Sequence, residues 1–394
     1  MPRILFVAQP QSIHTARWIS QIVNQGWELF LFSSLRDKPH PELREITILG
    51  TGLFRPTNLD KSVRFIRGTS AYFYRDELEK LISRENSSKY KEMALAHAIQ
   101  LIKPDIVHSL EFQHAGYLTL GAKKKLDNKF PTWISTNWGS DIYLFGRLPE
   151  HQRPIRQILQ NCDYYSCECK RDVQLARDMG LHGKVLPVLP NTGGIHIEDI
   201  KKFRQVVPVP ARKTIILKGY QNWAGRALVA FQAFRLCQDV LQDYTITIYS
   251  AGEEIKIAAK LFMLETGISV NIIEEVSHEE LLELFGRARI YIGLSISDGI
   301  STSLLEAMIM GTFPIQSCTA CADEWIEDGK SGFIVHPEKP SAIADAIRRA
   351  LIDDNLVNRA AEINAQTAIE RLDYANIQAQ VIKMYKDIYD SRKE

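Results

Sequence analysis

The chain has 394 residues, of which 45% are hydrophobic and 24% charged, and its formal net charge is +1. This length is too great for one ordinary core and fits two α/β domains of roughly 150–200 residues each. A net charge near zero argues against nucleic acid or an acidic polymer as a partner.

No stretch approaches the roughly 18 unbroken apolar residues that a membrane span requires. The apolar run at residues 4–8 is too short for a signal peptide and predicts a buried first strand. We therefore expect a cytoplasmic protein. The basic run at residues 123–125 is typical of a solvated helix end. Weak contact with the inner face of a membrane is the alternative interpretation of that run.

Short apolar runs alternate with helical patterns along the first half, which predicts βαβ units and a parallel sheet. The predicted strands are residues 4–8, 28–33, 106–108, 132–136, 164–167 and 184–189. The predicted helices are residues 14–24, 88–102, 115–125 and 171–179. Prolines and glycines at 187–194 then close this half, and the prolines at 208 and 210 indicate an extended linker.

The second half repeats the alternation. Its predicted strands are residues 214–218, 245–249, 270–273, 290–294, 312–317 and 332–335. Its predicted helices are residues 224–237, 255–266, 279–288, 303–310, 340–353 and 355–370. A last amphipathic helix at 374–389 places five apolar residues on one face, namely Ile377, Val381, Met384, Tyr385 and Ile388.

These patterns predict an α/β protein with two Rossmann-like, doubly wound domains that face a central cleft. The predicted organisation is a first domain at 1–195, a linker at 196–212, a second domain at 213–370 and a C-terminal helix at 371–394 that packs back on the first domain. In open parallel sheets, ligands bind beyond the carboxyl ends of the strands. Site residues are therefore expected near the ends of the strands.

Six cysteines occur along the chain, and Cys318 and Cys321 have the C-x-x-C spacing of a redox pair or half a zinc site. A structural zinc site needs four ligands, and no second pair stands at a suitable spacing. We therefore expect unligated thiols, in keeping with a reducing cytosol.

The strand at 290–294 leads into a polar, glycine-containing turn and then a helix. The free N–H groups at a helix N-terminus carry partial positive charge and suit a diphosphate. Gly299 allows close approach of the backbone to a ligand, and Asp298 and Glu306 are placed to hold two parts of one polar ligand. The alternative interpretation is that Asp298 and Ser303 merely cap the helix and that Glu306 makes an ordinary surface or inter-helix contact.

Several longer runs resemble a known family. The run from Ser297 to Ile315, with Ser-Asp-Gly, Leu-Leu-Glu-Ala-Met and Gly-x-x-Pro-Ile in order, continues in the run from Glu324 to Val335. Together they resemble the donor-site signature of the retaining glycosyltransferases of family 4, which have the GT-B fold. The resemblance extends from about Ile215 to Leu351. The N-terminal half is similar only in outline, through residues 12–18 and 104–141.

In that family a Glu-x7-Glu pair binds the donor, and here the pair is Asp298-x7-Glu306. The resemblance implies that Glu306 takes the ribose hydroxyls and Asp298 the hydroxyls of the donor sugar. Aspartate is one methylene shorter than glutamate, so a different donor sugar, a shifted pose or weaker activity is expected. Glu275 lies where backbone contacts would read the base. The backbone N–H groups implied to hold the sugar and diphosphate belong to Gly299, Ile300, Ser301, Thr302 and Ser303.

The family also places a lysine and an arginine against the diphosphate, at the first strand–helix junction of the second domain. Lys218 and Arg226 are the candidates here, with Gly219 beside them, although their order is inverted relative to the family. Two cations stabilise the charge that develops on a leaving diphosphate. Ordinary surface cations are the alternative interpretation.

Candidates on the acceptor side rest on the first domain. Asn137 stands where many relatives have a histidine near the reacting sugar, and an amide cannot act as a base near neutral pH. Asp141 is expected to contact a sugar hydroxyl or to cap a helix. The remaining candidates follow strand ends and are Ser12, His14, Arg17, His108 and Glu111. For the two histidines a structural role is the alternative.

The resemblance implies transfer of a sugar from a nucleotide diphosphate sugar, with a UDP-sugar favoured over a GDP-sugar and with the anomeric configuration retained. The acceptor would be a hydroxyl of a glycan, a lipid-linked molecule or a small molecule, in polysaccharide or glycoconjugate biosynthesis. No Asp-x-Asp occurs, so we expect no metal and no other cofactor. The alternatives are a sugar-nucleotide 2-epimerase on the same fold and a non-catalytic sugar-nucleotide binder.

Overall fold

Each half of the chain forms a parallel sheet covered by helices. The computed structural model describes residues 1–35, 37–50, 59–67 and 84–392. It divides into unit 1, which comprises Met1–Gly194 with Ala375–Glu394, and unit 2, which comprises Ile195–Tyr374. The two doubly wound sheets predicted from the alternation of apolar runs are confirmed.

Unit 1 is built on a sheet of eight described strands that all run parallel, in the order β4-β3-β2-β1-β5-β6-β7-β8. The strands are β1 (Arg3–Ala8), β2 (Glu28–Ser33), β3 (Thr47–Gly50), β4 (Arg64–Arg67), β5 (Ile106–Leu110), β6 (Thr132–Thr136), β7 (Tyr164–Ser166) and β8 (Lys184–Val185). The helices before residue 195 are α1 (Ile13–Ser20), α2 (Arg84–Ile102), α3 (Tyr117–Leu126), α4 (Gly139–Tyr143), α5 (Pro149–Asn161) and α6 (Lys170–Asp178). Chain order reverses between β1 and β5, so the carboxyl ends of these two strands form the switch point of the sheet.

Unit 2 has a six-stranded parallel sheet in the order β11-β10-β9-β12-β13-β14. The strands are β9 (Thr214–Lys218), β10 (Thr245–Tyr249), β11 (Val270–Ile273), β12 (Ala288–Gly293), β13 (Phe313–Ser317) and β14 (Phe333–Val335). The helices are α7 (Ile197–Lys201), α8 (Ala227–Leu236), α9 (Glu253–Thr266), α10 (His278–Arg287), α11 (Thr302–Ile309), α12 (Pro340–Ile352) and α13 (Asp354–Leu372). Here the switch point lies between β9 and β12.

The C-terminal helix α14 (Tyr374–Asp390) returns to unit 1, which contains the chain from Ala375 onward. The five apolar residues of its predicted face are all buried, and they join a core that includes Phe6 and Ile106 from β1 and β5. Within this core the indole Nε1 of Trp18 donates to the hydroxyl of Tyr385 at 3.0 Å. That hydroxyl lies 2.5 Å from Nδ1 of His108. The hydrogen bonds therefore join α1, α14 and β5.

His108 is fully buried and is neutral within this network. Burial lowers the pKa of His108 to about 3. Its Nε2 lies 2.6 Å from the hydroxyl of Thr136. Nδ1 is the described acceptor for the hydroxyl hydrogen of Tyr385, and in that arrangement the ring proton of the neutral imidazole sits on Nε2 and is donated to Thr136. The prediction that His108 faces a ligand is wrong, because the ring has no exposed surface.

This burial predicts a pH dependence of stability. Between pH 6.5 and about 3 the unfolded chain binds a proton at His108 that the folded chain does not bind, so stability falls as the pH is lowered through this range. The slope from this group is about 1.4 kcal/mol per pH unit. In NMR spectra, the His108 Cε1–H resonance, assigned by its absence in His108→Gln, should not titrate between pH 8 and 4.5. A titration midpoint near 6.5 would contradict the buried, neutral assignment.

The segment at 196–212, predicted as an extended linker, contains helical structure and belongs to unit 2. It includes α7 and a short 3-10 helix at Val209–Ala211. Val209 is buried in the core of unit 2, and Arg212 donates to the carbonyls of Ala288 and Met310. The prolines stiffen this segment, but burial and these hydrogen bonds fix it to the unit.

Among the described residues of unit 1, the sequence patterns missed two strands and two α-helices. Strands β3 and β4 have only four residues each, and α4 has five. Helix α5 contains Pro154, which is unfavourable inside a helix. The helix forms nevertheless, and Ile155, Ile158 and Leu159 are buried on one of its faces.

Among the described residues, no helix is both long and apolar enough to cross a membrane. The basic run at the end of α3 is partly engaged by neighbours in unit 1. Lys124 donates to Gln157, and Lys125 pairs with Glu92 at 3.1 Å. The ammonium of Lys123 lies 5.4 Å from the centre of the Phe130 ring. These contacts favour the interpretation of the run as an ordinary helix end.

Candidate functional site

The candidate site of unit 2 lies at its switch point, where β9 ends at Lys218 and β12 ends at Gly293. The loops that follow these strands are hydrogen-bonded to each other. The N–H of Arg226 donates to the carbonyl of Leu294 at 3.0 Å, and the N–H of Ile296 donates to that of Ala224 at 2.9 Å. The first strand–helix loop and the loop that carries Asp298 therefore form one structural piece.

The loop after β9 is rigidly built. The side-chain oxygen of Asn222 accepts from the N–H groups of Ala224 and Gly225 at 2.9 and 2.8 Å. A Cβ at Gly225 would lie 2.2 Å from the carbonyl oxygen of Tyr220, so only glycine fits there. A Cβ at Gly219 would lie 2.9 Å from the carbonyl oxygen of Tyr249. Both glycines therefore serve close backbone packing.

Arg226 braces this loop. Its Nε pairs with Glu338 at 2.9 Å, and its Nη1 donates to the carbonyls of Gly225, Ala224 and Asn222 at 2.9 to 3.4 Å. These contacts engage Nε and Nη1, whereas Nη2 has no hydrogen-bond partner among the described residues. The contacts therefore favour a structural role over the predicted contact of Arg226 with a diphosphate.

Lys218 is the cation that the structure brings together with the predicted carboxylates. Its side chain is half-buried, and the ammonium lies 4.6 Å from the centre of the Tyr220 ring. Burial opposes its charge, but interactions with Tyr291, Asp298 and Glu306 raise the pKa of Lys218 above its ordinary value. The ammonium therefore stays charged at the end of β9, at the switch point.

The loop that carries Asp298 leads into the N-terminus of α11. The carboxylate of Asp298 accepts from the N–H of Gly299 at 2.9 Å. Ser301 occupies the N-cap position of α11, but its side chain makes no capping hydrogen bond to the helix. Two buried tyrosines support this turn instead. Tyr249 donates to the hydroxyl of Ser303 at 2.9 Å, and the hydroxyl of Tyr291 lies 3.5 Å from that of Ser301.

Glu306 lies in α11 with only 6% of its side-chain surface exposed. Its Oε1 lies 2.7 Å from Nε2 of His278, the first residue of α10. The carboxylate is thus buried but partnered, as a buried charge requires. Of the other predicted donor residues, Ile300 is buried, Thr302 is half-buried and Glu275 is exposed.

In unit 1 the residues predicted near the sugar are buried. Asn137 has no exposed surface, and its amide donates to Asp172 at 2.7 Å. The carboxylate of Asp141 accepts from the N–H groups of Trp138 and Phe112, at 2.8 and 2.9 Å. Burial and the charge of Glu111 raise the pKa of Asp141 well above its ordinary value. Of the two interpretations of Asp141, the structure favours capping. With no exposed surface in this structure, Asn137 is not placed for the predicted contact with a sugar.

Glu111 follows β5 with φ +75° and ψ 159°, a backbone region that residues other than glycine rarely adopt. Its carboxylate accepts from the N–H groups of His114 and Ala115, at 2.8 and 2.5 Å. These hydrogen bonds offset the strain and hold the turn. Glu111 therefore stabilises the turn that follows β5 at the switch point of unit 1, and its side chain is buried.

The remaining candidates of unit 1 follow β1. Ser12 caps α1 by accepting from the N–H of His14 at 3.2 Å. The ring of His14 packs edge-on against Trp138, with ring centres 5.6 Å apart. Arg17 is half-buried in the last turn of α1. Ser12, His14, Arg17 and Asn137 all follow strands at the carboxyl edge of this sheet. Of these four residues, His14 and Arg17 are ionisable and partly exposed.

Sequence reasoning missed the partners of the predicted residues. Asp172 and His278 each bond directly to one of them, Asn137 and Glu306. Tyr249 and Tyr291 support the turn before α11. Each partner stands at least 10 residues from the residue it contacts, so local spacing carried no signal.

Two family models match the chain. The model described as Glycosyl transferases group 1 matches residues 200–367, and that described as Glycosyl transferase 4-like matches residues 3–164. An uncharacterised glycosyltransferase of Methanocaldococcus jannaschii is 23% identical over 240 residues, 59% of each chain. A D-inositol 3-phosphate glycosyltransferase of Corynebacterium urealyticum is 29% identical over 126 residues, 32% of this chain and 30% of that protein. The matches span less than two thirds of both relatives.

Solved structures of similar fold cover nearly the whole chain. Sucrose-phosphate synthase from Thermosynechococcus elongatus is 14% identical with a TM-score of 0.72, over 99% of this chain and 100% of that one. HepE from Anabaena, solved in complex with UDP-glucose, is 14% identical with a TM-score of 0.66, over 98% of this chain and 100% of that one. At such identities the likeness establishes the fold alone.

Proposed function

Since this chain belongs to the GT-B glycosyltransferases, as its resemblance to family 4 implied, we propose that it transfers a sugar from a UDP-sugar with retention of anomeric configuration. The acceptor is a hydroxyl of a glycan, a lipid-linked molecule or a small molecule. The observation that carries this proposal is that Lys218, at the end of β9, and Asp298 and Glu306, which follow β12, belong to one switch point, where both carboxylates contribute to raising the pKa of Lys218. A UDP-sugar rather than a GDP-sugar is favoured by HepE, a protein of similar fold solved with UDP-glucose.

Each group has a distinct proposed task in donor binding. The buried carboxylate of Glu306 accepts from the ribose hydroxyls, and the more exposed Asp298 accepts from a hydroxyl of the donor sugar. The N-terminus of α11, which lacks a side-chain cap, offers its N–H groups to the diphosphate. A short aspartate in place of glutamate leaves room for a bulkier or differently oriented sugar.

The proposed chemistry is a substitution on one face of the sugar. The acceptor oxygen forms a bond to the anomeric carbon while the bond from that carbon to the diphosphate oxygen breaks. The acceptor proton passes to the departing phosphate oxygen, so no protein nucleophile is required. The charged Lys218 stabilises the negative charge that develops on the diphosphate. Detection of a covalent sugar–enzyme adduct would contradict this route.

Metal independence is part of the proposal. The positive charge for the diphosphate comes from Lys218 and from the N-terminal end of α11, which carries a partial positive charge. Transfer should therefore persist in excess EDTA at an unchanged rate. Loss of transfer in EDTA with recovery on adding a divalent cation would overturn this part.

The test of the donor site is the variant Glu306→Gln. A neutral amide accepts hydrogen bonds from ribose hydroxyls more weakly than a carboxylate, so UDP affinity should fall by about 10- to 100-fold. Calorimetric titration with UDP and GDP measures the change, and Glu362→Gln, an exposed carboxylate on α13, is the matched control. No binding of either nucleotide to the unaltered protein would contradict the proposed function. Binding without sugar transfer to any acceptor or water would favour a non-catalytic binder.

A further inference from the structure

The contact between His278 and Glu306 adds to the proposed donor site a residue that lies outside the runs Ser297–Ile315 and Glu324–Val335. His278 Nε2 lies 2.7 Å from Glu306 Oε1, while 46% of the histidine side-chain surface is exposed. An ionised carboxylate only accepts hydrogen bonds, so Nε2 carries the proton in this contact. The imidazole thus stands between the buried carboxylate and solvent.

The backbone that carries His278 is fixed by its own hydrogen bonds. Ser277 caps α10 by accepting from the N–H of Glu280 at 3.2 Å, and the Glu280 carboxylate accepts from the N–H of Ser277 at 2.8 Å. This reciprocal capping box sets the first turn of α10 and therefore the position of the imidazole. The donor to Glu306 is thus held in place before any ligand binds.

A second cation, Lys218, lies within the electrostatic influence of Glu306, whose charge helps to raise the pKa of Lys218. Among the described residues Lys218 forms no ion pair within 4.0 Å. A glutamate that swung onto Lys218 would neutralise the cation and withdraw its own oxygens from a ribose. By holding Oε1, His278 opposes that rearrangement and leaves Oε2, which has no hydrogen-bond partner among the described residues.

We propose that His278 is a positioning residue that holds the Glu306 carboxylate in the orientation required to bind the ribose of a nucleoside diphosphate. The inference rests on the proposed function, because it requires that Glu306 contact a ribose. Preorganisation of this kind raises affinity by removing the cost of ordering the group on binding. The histidine itself need not touch the ligand.

The test compares UDP with 2′,3′-dideoxyuridine diphosphate, which lacks both ribose hydroxyls, by calorimetric titration. In His278→Ala we expect UDP affinity to fall about 10-fold, and the affinity for the dideoxy compound to change less than about 2-fold. His278→Gln should restore UDP binding, because its amide nitrogen reaches the position of Nε2. The shorter His278→Asn is the matched control that should not restore it.

A double variant separates positioning from a general loss of structure. If His278 acts through Glu306, then His278→Ala combined with Glu306→Gln should bind UDP no more weakly than Glu306→Gln alone. Equal losses for UDP and the dideoxy compound, or unchanged UDP binding in His278→Ala, would overturn the inference while leaving the donor site intact. An unaltered protein that binds neither UDP nor GDP would overturn both the inference and the proposed function.

Discussion

Replacing Lys218 by methionine should lower kcat/KM for sugar transfer by about 100- to 1,000-fold. Methionine keeps an unbranched side chain but removes the ammonium, which lies 4.6 Å from the centre of the Tyr220 ring. Lys218 is the less engaged of the two predicted diphosphate cations, because Arg226 is held by Glu338 and by three carbonyls of its own loop. The loss should appear mainly in kcat, because charge on the diphosphate increases as the glycosidic bond breaks.

The control for this variant is Lys260→Met, which removes an exposed lysine from α9 in the same unit. It should leave kcat/KM within about 2-fold of the unaltered enzyme, since isolated surface charges contribute little. Donor hydrolysis measured by release of UDP gives the same comparison before an acceptor is known. Full activity in Lys218→Met would show that other groups stabilise the diphosphate, and would favour Arg226 as the cation that does so.

The elements of the proposed donor site could be placed from the sequence because they are local. The strand at 290–294, the turn with Gly299 and the helix with Glu306 follow one another within 20 residues, and a parallel sheet places such a turn at its carboxyl edge. Which of the two cations is left to contact the diphosphate was less predictable. Arg226 and Lys218 look equivalent in sequence, and they are distinguished by contacts of Arg226 with Glu338, more than 100 residues away, and with three carbonyls of its own loop.

The acceptor-side predictions illustrate the same limit in unit 1. A histidine or carboxylate at the end of a strand is placed beside the carboxyl edge by the pattern alone, but its burial depends on what packs over it. His108 is hydrogen-bonded to Tyr385, a residue of α14 that lies 277 positions further along the chain. Asp141 is turned towards the N–H groups of Trp138 and Phe112. No local periodicity encodes the contact of His108 with Tyr385 or that of Asp141 with Phe112, 29 residues away.

Tyr385→Phe should destabilise unit 1 by about 2–4 kcal/mol. Phenylalanine fills the same space, so the change removes a hydroxyl without opening a cavity. Nε1 of Trp18 and Nδ1 of His108 then lose their described partner in a core that water does not reach. A buried polar group left unpaired costs about 1–3 kcal/mol, and this variant leaves two.

Urea denaturation followed by tryptophan fluorescence measures this effect, since four of the six tryptophans lie in unit 1. Tyr244→Phe is the matched control. Tyr244 is 8% exposed in unit 2, and its hydroxyl has no hydrogen-bond partner among the described residues. That variant should shift stability by less than about 0.5 kcal/mol. Equal, small shifts in both variants would mean that the Trp18–Tyr385–His108 hydrogen bonds do not hold α14 to the sheet, and that packing of its apolar face alone does so.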